Sequence, residues 1–200
     1  MERSSGVLLH ISSLPGEGGI GCMGKDAYLF VDFLAQTKQK IWQILPLGPV
    51  GYGNSPYQCY SAFAGNPMFI DLDQLITDRF ISKDAVIYPE FKTKTVEFER
   101  IEEWKLGILD EAFKGFRKNF DRFRDEYHNF MQHHSWWLDG YAHFRALKTK
   151  HKGTVWNTWD TKLVFRDFEA LKTSFVELHE IIDFHRFLQF VFFRQWYKLK

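Results

Sequence analysis

The chain has little of several features that mark particular protein classes. Its 200 residues include only two cysteines, Cys22 and Cys59, which excludes a disulfide scaffold and favours a reducing, cytoplasmic setting. No apolar run approaches the roughly 18 residues of a membrane span, and the polar segment Met1–Gly6 lacks the apolar stretch of a signal peptide. Neither charge sign dominates, because 26 basic residues face 25 acidic ones. This balance argues against nucleic acid as a partner.

Aromatic residues are abundant, and apolar spacing predicts an α/β fold in the first part of the chain. Aromatic side chains make up 18% of the sequence, enough for a large core or for a binding surface. Residues 6–11 and 41–45 are short apolar runs, typical of buried parallel strands. Between them, residues 26–35 carry apolar side chains at three- and four-residue steps, which predicts an amphipathic helix. The three elements together predict a βαβ unit with a parallel sheet.

The second part of the chain is nearly free of proline and has a helical period. Apolar spacing predicts helices over residues 98–120, 137–147 and 178–199, with Gly153 as the stop of the second. The last of these is apolar on almost every side, so we expect it to be buried on several sides.

A short connecting segment precedes these helices. Residues 68–70 are predicted to be extended, and Asp71 or Asp73 is expected to cap a short helix through Ile76. Both carboxylates suit capping, so neither is assigned to catalysis.

Two patterns that suggest cofactors are better explained by structure. Residues 16–21 match G-x-G-x-x-G, but residues 12–15 separate them from the strand, and no acidic residue ends the second strand. A tight turn with positive-φ positions is the better interpretation. The adjacent pair His133 and His134 points to different sides of a helix, so the histidines predict no metal site.

The loop of residues 46–67 is the most informative segment. It holds four of the six prolines and four glycines, and it leaves the carboxyl end of the second predicted strand. It presents Tyr52 and Tyr57, whose rings could stack on a sugar while their hydroxyls form hydrogen bonds. Packing of both rings within the loop is an equally good interpretation of the local sequence. His10 ends the first strand, at the edge that faces the active site in a parallel barrel.

Several blocks in fixed order resemble the 4-alpha-glucanotransferases, also called amylomaltases or disproportionating enzymes. They include GVLLHISSLP at 6–15, GIGCMG at 19–24, WQILPLGP at 42–49, GYGNSPYQCYSAFAGNP at 51–67 and FFRQW at 192–196. The resemblance implies a (β/α)8 TIM barrel, of which this chain carries the first two strands and a large, mostly helical insertion. Residues 1–75 are then the start of the catalytic barrel, with the substrate loop 46–67. Residues 76–200 are the insertion, which leads into a barrel-side helix.

The same resemblance implies retaining transfer of an α-1,4-glucan segment between maltooligosaccharides, with no metal or organic cofactor. Tyr57 matches a family tyrosine that lines the donor site, and Tyr52 matches a position that binds glucan at a secondary site in some members. Ser55 and His10 complete the predicted substrate-binding set. Asn54 and Cys22 stand where many members have Asp, so no carboxylate role is carried to either position.

The family's Asp nucleophile and Glu acid/base are expected beyond Lys200, since members are more than twice this long and a closed barrel takes about 250 residues. The 200-residue chain is therefore expected to be an inactive amino-terminal fragment. A non-catalytic α-glucan-binding fragment is the alternative. A helical interaction protein built on residues 97–200 is a third possibility, against which the loop motif counts.

Overall fold

A computed structural model describes residues 3–200 as two compact units. One comprises residues 3–123 and Val191–Lys200, and the other comprises Arg124–Phe190. The strands are β1 (Gly6–Leu8) and β2 (Ile41–Gln43). The helices are α1 (Lys25–Gln36), α2 (Leu72–Thr77), α3 (Phe98–Lys118), α4 (Phe120–Lys150), α5 (Thr161–Val164), α6 (Phe168–Glu177) and α7 (His179–Leu199). Short 3-10 helices cover Ile11–Ser13, Tyr52–Asn54, Pro67–Phe69, Lys83–Ala85 and Trp156–Thr158.

The predicted βαβ unit is confirmed. Strands β1 and β2 pair in parallel, with Gly6 opposite Ile41, and α1 connects them within one residue of its predicted bounds at each end. Both strands are shorter than predicted. The ladder continues only to the bond from Leu9 N to Gln43 O at 3.0 Å. The Leu9 carbonyl accepts from the Trp42 indole N–H at 2.7 Å instead of from a strand, and a 3-10 helix begins at Ile11.

Two further predictions about local structure are wrong. Residues 68 and 69 are not extended, because the Asn66 side chain accepts from Met68 N at 3.0 Å and starts a 3-10 helix at Pro67, whereas Ile70 is extended as predicted. The second long helix begins at Phe120 and not near residue 137, since Phe123, Tyr127 and Phe130 continue the helical period through its first part. Its predicted stop at Gly153 is close, because the helix ends at Lys150 and Gly153 has φ +78°.

The first unit has an aromatic and aliphatic core that packs against α3. The buried face of that helix carries Ile101, Leu109, Ala112, Phe113 and Phe116. Phe80 packs edge-on against Phe116 and Phe123, with ring centroids 5.4 and 4.8 Å apart. Burial of these rings supplies most of the apolar contact that holds α3 to the segment after α2.

The second unit is helical and has its own small core. Its buried residues are Ala142, Ala146, Leu147, Leu178 and Ile182. Within it, the Arg186 guanidinium bonds to Asp139 at 2.7 and 2.9 Å and to Asp183 at 2.8 Å. These charge-assisted bonds fix α7 against α4 inside this unit. Within residues 3–200, no helix is both long and apolar enough to cross a membrane.

Candidate functional site

The loop after β2 is a closed hairpin, not a loose connection. Val50 and Cys59 form an antiparallel bridge. Backbone bonds close it at three levels: Asn66 N to Leu47 O at 2.8 Å, Tyr60 N to Pro49 O at 3.0 Å and Gly51 N to Gln58 O at 2.8 Å. These bonds leave residues 52–57 as the tip of the hairpin. The tip therefore stands on a framework that fixes where its side chains begin.

The backbone of the tip adopts a conformation that few residue types accept. Gly53 has φ +82° and Asn54 has φ +55°, in the left-handed region that glycine and asparagine tolerate best. The Ser55 hydroxyl accepts a hydrogen bond from Tyr57 N at 3.3 Å, a local turn that orients the tyrosine. Ser55, predicted to bind substrate, thus has a structural contact within the loop, and its contact with substrate stays a prediction.

Neither tyrosine of the tip is used to pack the loop. Tyr52 is 96% exposed and Tyr57 is 73% exposed. The interpretation in which both rings fill the loop interior is therefore wrong. Both rings face solvent on a hairpin that backbone hydrogen bonds close. Such rings are available to a ligand from solvent.

An open apolar cleft of about 800 Å³ lies beside Tyr57. Its walls come from the chain after β2, from the descending arm of the hairpin and from α7. They include Leu45, Leu47, Cys59, Phe192, Phe193 and Trp196. Burial raises the pKa of the Cys59 thiol, which keeps it protonated and unreactive. The cleft offers apolar surface to a ligand that stacks on Tyr57.

His10 follows β1, at the same sheet edge from which the loop leaves β2. Its ring lies edge-on to Phe69, with centroids 5.3 Å apart. Its Nδ1 atom is buried and has no hydrogen-bond partner within residues 3–200. Burial lowers the pKa of this imidazole, so the ring is neutral near pH 7. A neutral ring with a free nitrogen is suited to a sugar hydroxyl, but its role as a substrate ligand stays a prediction.

Asp71, the first of the two aspartates that follow the loop, serves the fold. The Asp71 carboxylate accepts from Gln74 N at 2.9 Å and caps α2, as predicted. Its other oxygen accepts from the Cys22 thiol at 3.7 Å. Burial raises the pKa of Asp71, and a Cβ atom at Gly24 would collide with its carboxylate. Gly24 is therefore required where the chain passes this cap.

Comparison with known proteins decides the family. The sequence profile of the 4-alpha-glucanotransferases matches residues 9–200. The chain belongs to the 4-alpha-glucanotransferase family. Its sequence is 44% identical to the 4-alpha-glucanotransferase of Synechocystis sp. and 43% identical to that of Thermus thermophilus, over 201 residues in each case. Both alignments cover 100% of this chain and 40% of the relative.

A solved structure gives the same result for the backbone. The amylomaltase from Streptococcus agalactiae, in complex with acarbose, matches this chain with a TM-score of 0.93 at 42% identity. That match covers 100% of this chain and 40% of the amylomaltase. The chain thus spans 40% of the length of each of these relatives. It shares with that part of the 4-alpha-glucanotransferase family a mostly helical α/β fold with a two-stranded parallel sheet.

One block of the family resemblance is structural in this chain. In the FFRQW segment of α7, the Gln195 amide accepts from Asp71 N at 2.7 Å and donates to Asp71 O at 3.0 Å. Arg194 pairs with the buried Asp78 carboxylate at 2.7 Å and lies over the Phe123 ring at 5.1 Å. These contacts fix the end of α7 to the start and end of α2. The segment therefore acts as an anchor, which we call the α7 anchor (Phe192–Trp196).

The glycine-rich residues 16–21 are also explained by packing. A Cβ atom at Gly19 would collide with the Phe91 ring, and one at Gly18 would touch Trp104. Phe91 and Trp104 form an edge-on pair at 5.5 Å. Gly19 has φ +74°, which confirms the predicted tight turn with a positive-φ position. Among residues 3–200, no group of three or more His, Cys, Asp or Glu side chains is placed to hold a metal ion.

The structure also contains a buried lysine that the sequence patterns above did not reveal. Lys105 in α3 is 3% exposed, and its ammonium group donates to Met68 O at 2.7 Å. Burial lowers the pKa of Lys105, while the nearby Cys22 and Asp71 oppose that change. Its spacing could have predicted this burial, because Lys105 lies four residues from both Ile101 and Leu109 on the buried face of α3.

Proposed function

We propose that the complete protein is a 4-alpha-glucanotransferase that moves an α-1,4-glucan segment from one maltooligosaccharide to another with retention of configuration. The observation that carries this proposal is the hairpin tip with two exposed tyrosines, in a chain that belongs to this family. Aromatic rings stack on the apolar faces of glucose units, and phenolic hydroxyls bond to their polar edges. The open apolar cleft beside Tyr57 extends this surface.

The residues of this chain bind and orient the substrate, and the bond exchange is performed elsewhere in the protein. In a retaining transfer, an aspartate attacks the anomeric carbon while a glutamic acid protonates the departing glucan oxygen. The acceptor hydroxyl then displaces the aspartate and returns a proton to the glutamate. We infer that both carboxylates lie outside residues 1–200, consistent with the 40% of each relative that the chain covers.

Each predicted site residue has a role in this proposal. Tyr57 stacks on the glucose unit next to the scissile bond, with Ser55 holding its turn. Tyr52 offers a second platform farther along the glucan. His10 presents a neutral imidazole nitrogen to a sugar hydroxyl. Support for these roles comes from the exposure of both tyrosine rings and from the place of His10 at the sheet edge from which the loop leaves β2.

We further propose that β1 and β2 are the first two strands of a (β/α)8 barrel. The parallel pairing and the connecting helix α1 support this, because consecutive barrel strands are joined in this way. The loops that follow such strands collect at the carboxyl end of a barrel, where active sites lie. The division into residues 1–75 and 76–200 and the cytoplasmic setting stay predictions.

A disproportionation assay tests the proposed activity. The complete protein, incubated with maltotriose, should release glucose and form longer maltooligosaccharides. The 200-residue chain alone should form none. Glucan transfer by the isolated chain would contradict the inference that both catalytic carboxylates lie outside residues 1–200. Absence of transfer in the complete protein would contradict the proposed activity itself.

The exposed tyrosines also support a second candidate, a non-catalytic α-glucan-binding chain. In this case residues 1–200 alone should be retarded on an amylose column. Changing Tyr52 and Tyr57 together to Ala should abolish the retardation, whereas Tyr60→Ala, outside the tip, should leave it unchanged. Equal retardation of the wild-type chain and the double variant would contradict this candidate.

A further inference from the structure

A long-range hydrogen bond fastens the hairpin tip to the start of α3. Asn54 Nδ2 donates to Glu99 Oε1 at 3.2 Å. The two residues are 45 positions apart, and both belong to the first compact unit. A carboxylate only accepts hydrogen bonds, so the Asn54 amide must present its NH2 group to it. The direction of this bond is therefore set by the chemistry of the pair.

The position of Asn54 in the tip gives the bond its importance. Asn54 follows Gly53, and both have left-handed backbone conformations. Below them, the nearest of the three backbone bonds that close the hairpin is the one from Gly51 N to Gln58 O. Tyr52 precedes this pair and is 96% exposed, so protein contacts leave its ring largely free. A bond at the apex thus holds the part of the loop that carries the ring.

The neighbouring carboxylate on α3 is engaged elsewhere. Glu97 accepts from Lys92 N at 3.0 Å and pairs with Arg100 at 3.4 Å. Glu99 lies in the first turn of α3, where the helix dipole favours a negative charge. The helix thereby supplies a fixed acceptor to the tip.

We propose that Asn54 and Glu99 are positioning residues, whose hydrogen bond fixes Tyr52 as a platform for the glucan chain. This inference rests on the proposed function, because it names how the tip of that site is held. Neither residue takes part in bond exchange. An aspartate at position 54 would place a second carboxylate against Glu99 and release the tip, since like charges at this distance repel.

The pair allows an isosteric test in the complete protein. Asn54→Asp breaks the bond without changing side-chain shape, and aspartate also tolerates the left-handed backbone. Glu99→Gln keeps an acceptor oxygen. The double variant N54D/E99Q restores the bond with donor and acceptor exchanged. Glu103→Gln, an exposed change one turn farther along α3, is the matched control for loss of one charge.

Binding of maltoheptaose, measured by calorimetry, and transfer kinetics are the readouts. Because a net hydrogen bond to a charged group near solvent is modest, we expect N54D to weaken binding about threefold to tenfold. E99Q, E103Q and N54D/E99Q should bind within about twofold of wild type. KM should rise in N54D with kcat unchanged, since a platform binds ground and transition states alike. In a Tyr52→Ala background, N54D should cause no further loss.

The outcomes separate the two proposals. If Tyr52→Ala weakens binding but N54D does not, or if N54D/E99Q fails to recover, the positioning role is overturned while the proposed function stands. A further loss from N54D in the Tyr52→Ala background also overturns it. If Tyr52→Ala and Tyr57→Ala both bind maltoheptaose as wild type does, the tip is not a glucan site and both proposals are overturned.

Discussion

Two aromatic segments of the 4-alpha-glucanotransferase signature behave in opposite ways. In the hairpin tip, residues 52–57, the tyrosine rings face solvent on a backbone held by hydrogen bonds. In the α7 anchor, Phe192 is buried and the polar groups of Arg194 and Gln195 bond to Asp78 and Asp71. The tyrosine rings of the tip thus remain free for a ligand, whereas the polar groups of Arg194 and Gln195 hold the fold.

The difference shows why a family motif cannot be assigned a role from composition. Both segments combine aromatic and polar residues, and both could have been a sugar site. What separates them is that the tyrosine rings of the tip face solvent, whereas Arg194 and Gln195 bond to other parts of the protein. Variants of Arg194 and Gln195 should therefore change stability, and variants of Tyr52 and Tyr57 should change binding.

The largest effect is expected from Arg194→Leu. It leaves the Asp78 carboxylate, whose side chain is 9% exposed, without its guanidinium partner. Breaking a buried pair in this way should lower the free energy of unfolding by about 3 kcal/mol. Lys198→Leu is the control, because that cation lies one turn farther along α7 and makes an exposed bond to Gln74. Urea denaturation that gives equal midpoints for both variants would contradict the anchor.

A pH-dependent loss of stability, comparable in size to that expected for Arg194→Leu, is expected in the second unit. His185 is 5% exposed, and burial, with a smaller effect of Arg145, lowers its pKa to about 3. The unfolded chain therefore binds a proton below about pH 6.5 that the folded chain does not. Stability should be unaffected by this group above pH 6.5 and fall on acidification, by on the order of 3 kcal/mol at pH 4.

Denaturation at several pH values checks this expectation. His185→Leu should flatten the acid limb of the stability curve. His133→Gln, at an exposed position of α4, should retain the wild-type slope. An acid limb that is unchanged by His185→Leu would show that another group is responsible.

Gln195→Leu should have a smaller effect than Arg194→Leu. It removes both hydrogen bonds of the Gln195 amide to the Asp71 backbone. The Asp71 N–H and C=O groups then lose this partner. Each unsatisfied buried group costs about 1 kcal/mol or more, so we expect a loss of about 2 kcal/mol. Gln195→Glu keeps the acceptor but buries an unpaired negative charge against the Asp71 carbonyl oxygen, so it should be destabilised at least as much as Gln195→Leu. The thermal midpoints of the three proteins measure this order.

Local patterns predicted much of the fold. The apolar runs and the period between them gave the parallel pair β1 and β2 and the bounds of α1. The sequence left Asp71 and Asp73 as alternative caps of the short helix, and the structure identifies Asp71 as the cap. The start of α4 was missed although Phe123, Tyr127 and Phe130 keep a helical period among the charged residues after Phe120, and the short helices α5 and α6 carry no strong period.

Long-range contacts of the candidate site could not be predicted in this way. The sequence identified Tyr52 and Tyr57 as candidates, but whether they pack or face solvent depends on the hairpin. The Asn54–Glu99 and Asp71–Gln195 bonds join residues 45 and 124 positions apart. No local pattern encodes such pairings, since they depend on how the elements meet.

The smallest effect on stability is expected at the tip, where the effect on function should be large. Tyr57→Ala removes a ring that is 73% exposed, so the free energy of unfolding should change by less than about 0.5 kcal/mol. Tyr57→Phe keeps the ring and removes the hydroxyl. It separates stacking from hydrogen bonding.

The most direct measurement is kcat/KM for maltotriose disproportionation by the complete protein and its Tyr57→Ala variant, with the thermal midpoint of each. If the tip is a glucan-binding surface, the variant should lose about tenfold or more in kcat/KM, because stacking on an aromatic ring and a hydrogen bond are both lost. Its midpoint should match that of wild type. An unchanged kcat/KM, or a loss accompanied by a large fall in midpoint, would contradict a binding role for the exposed ring.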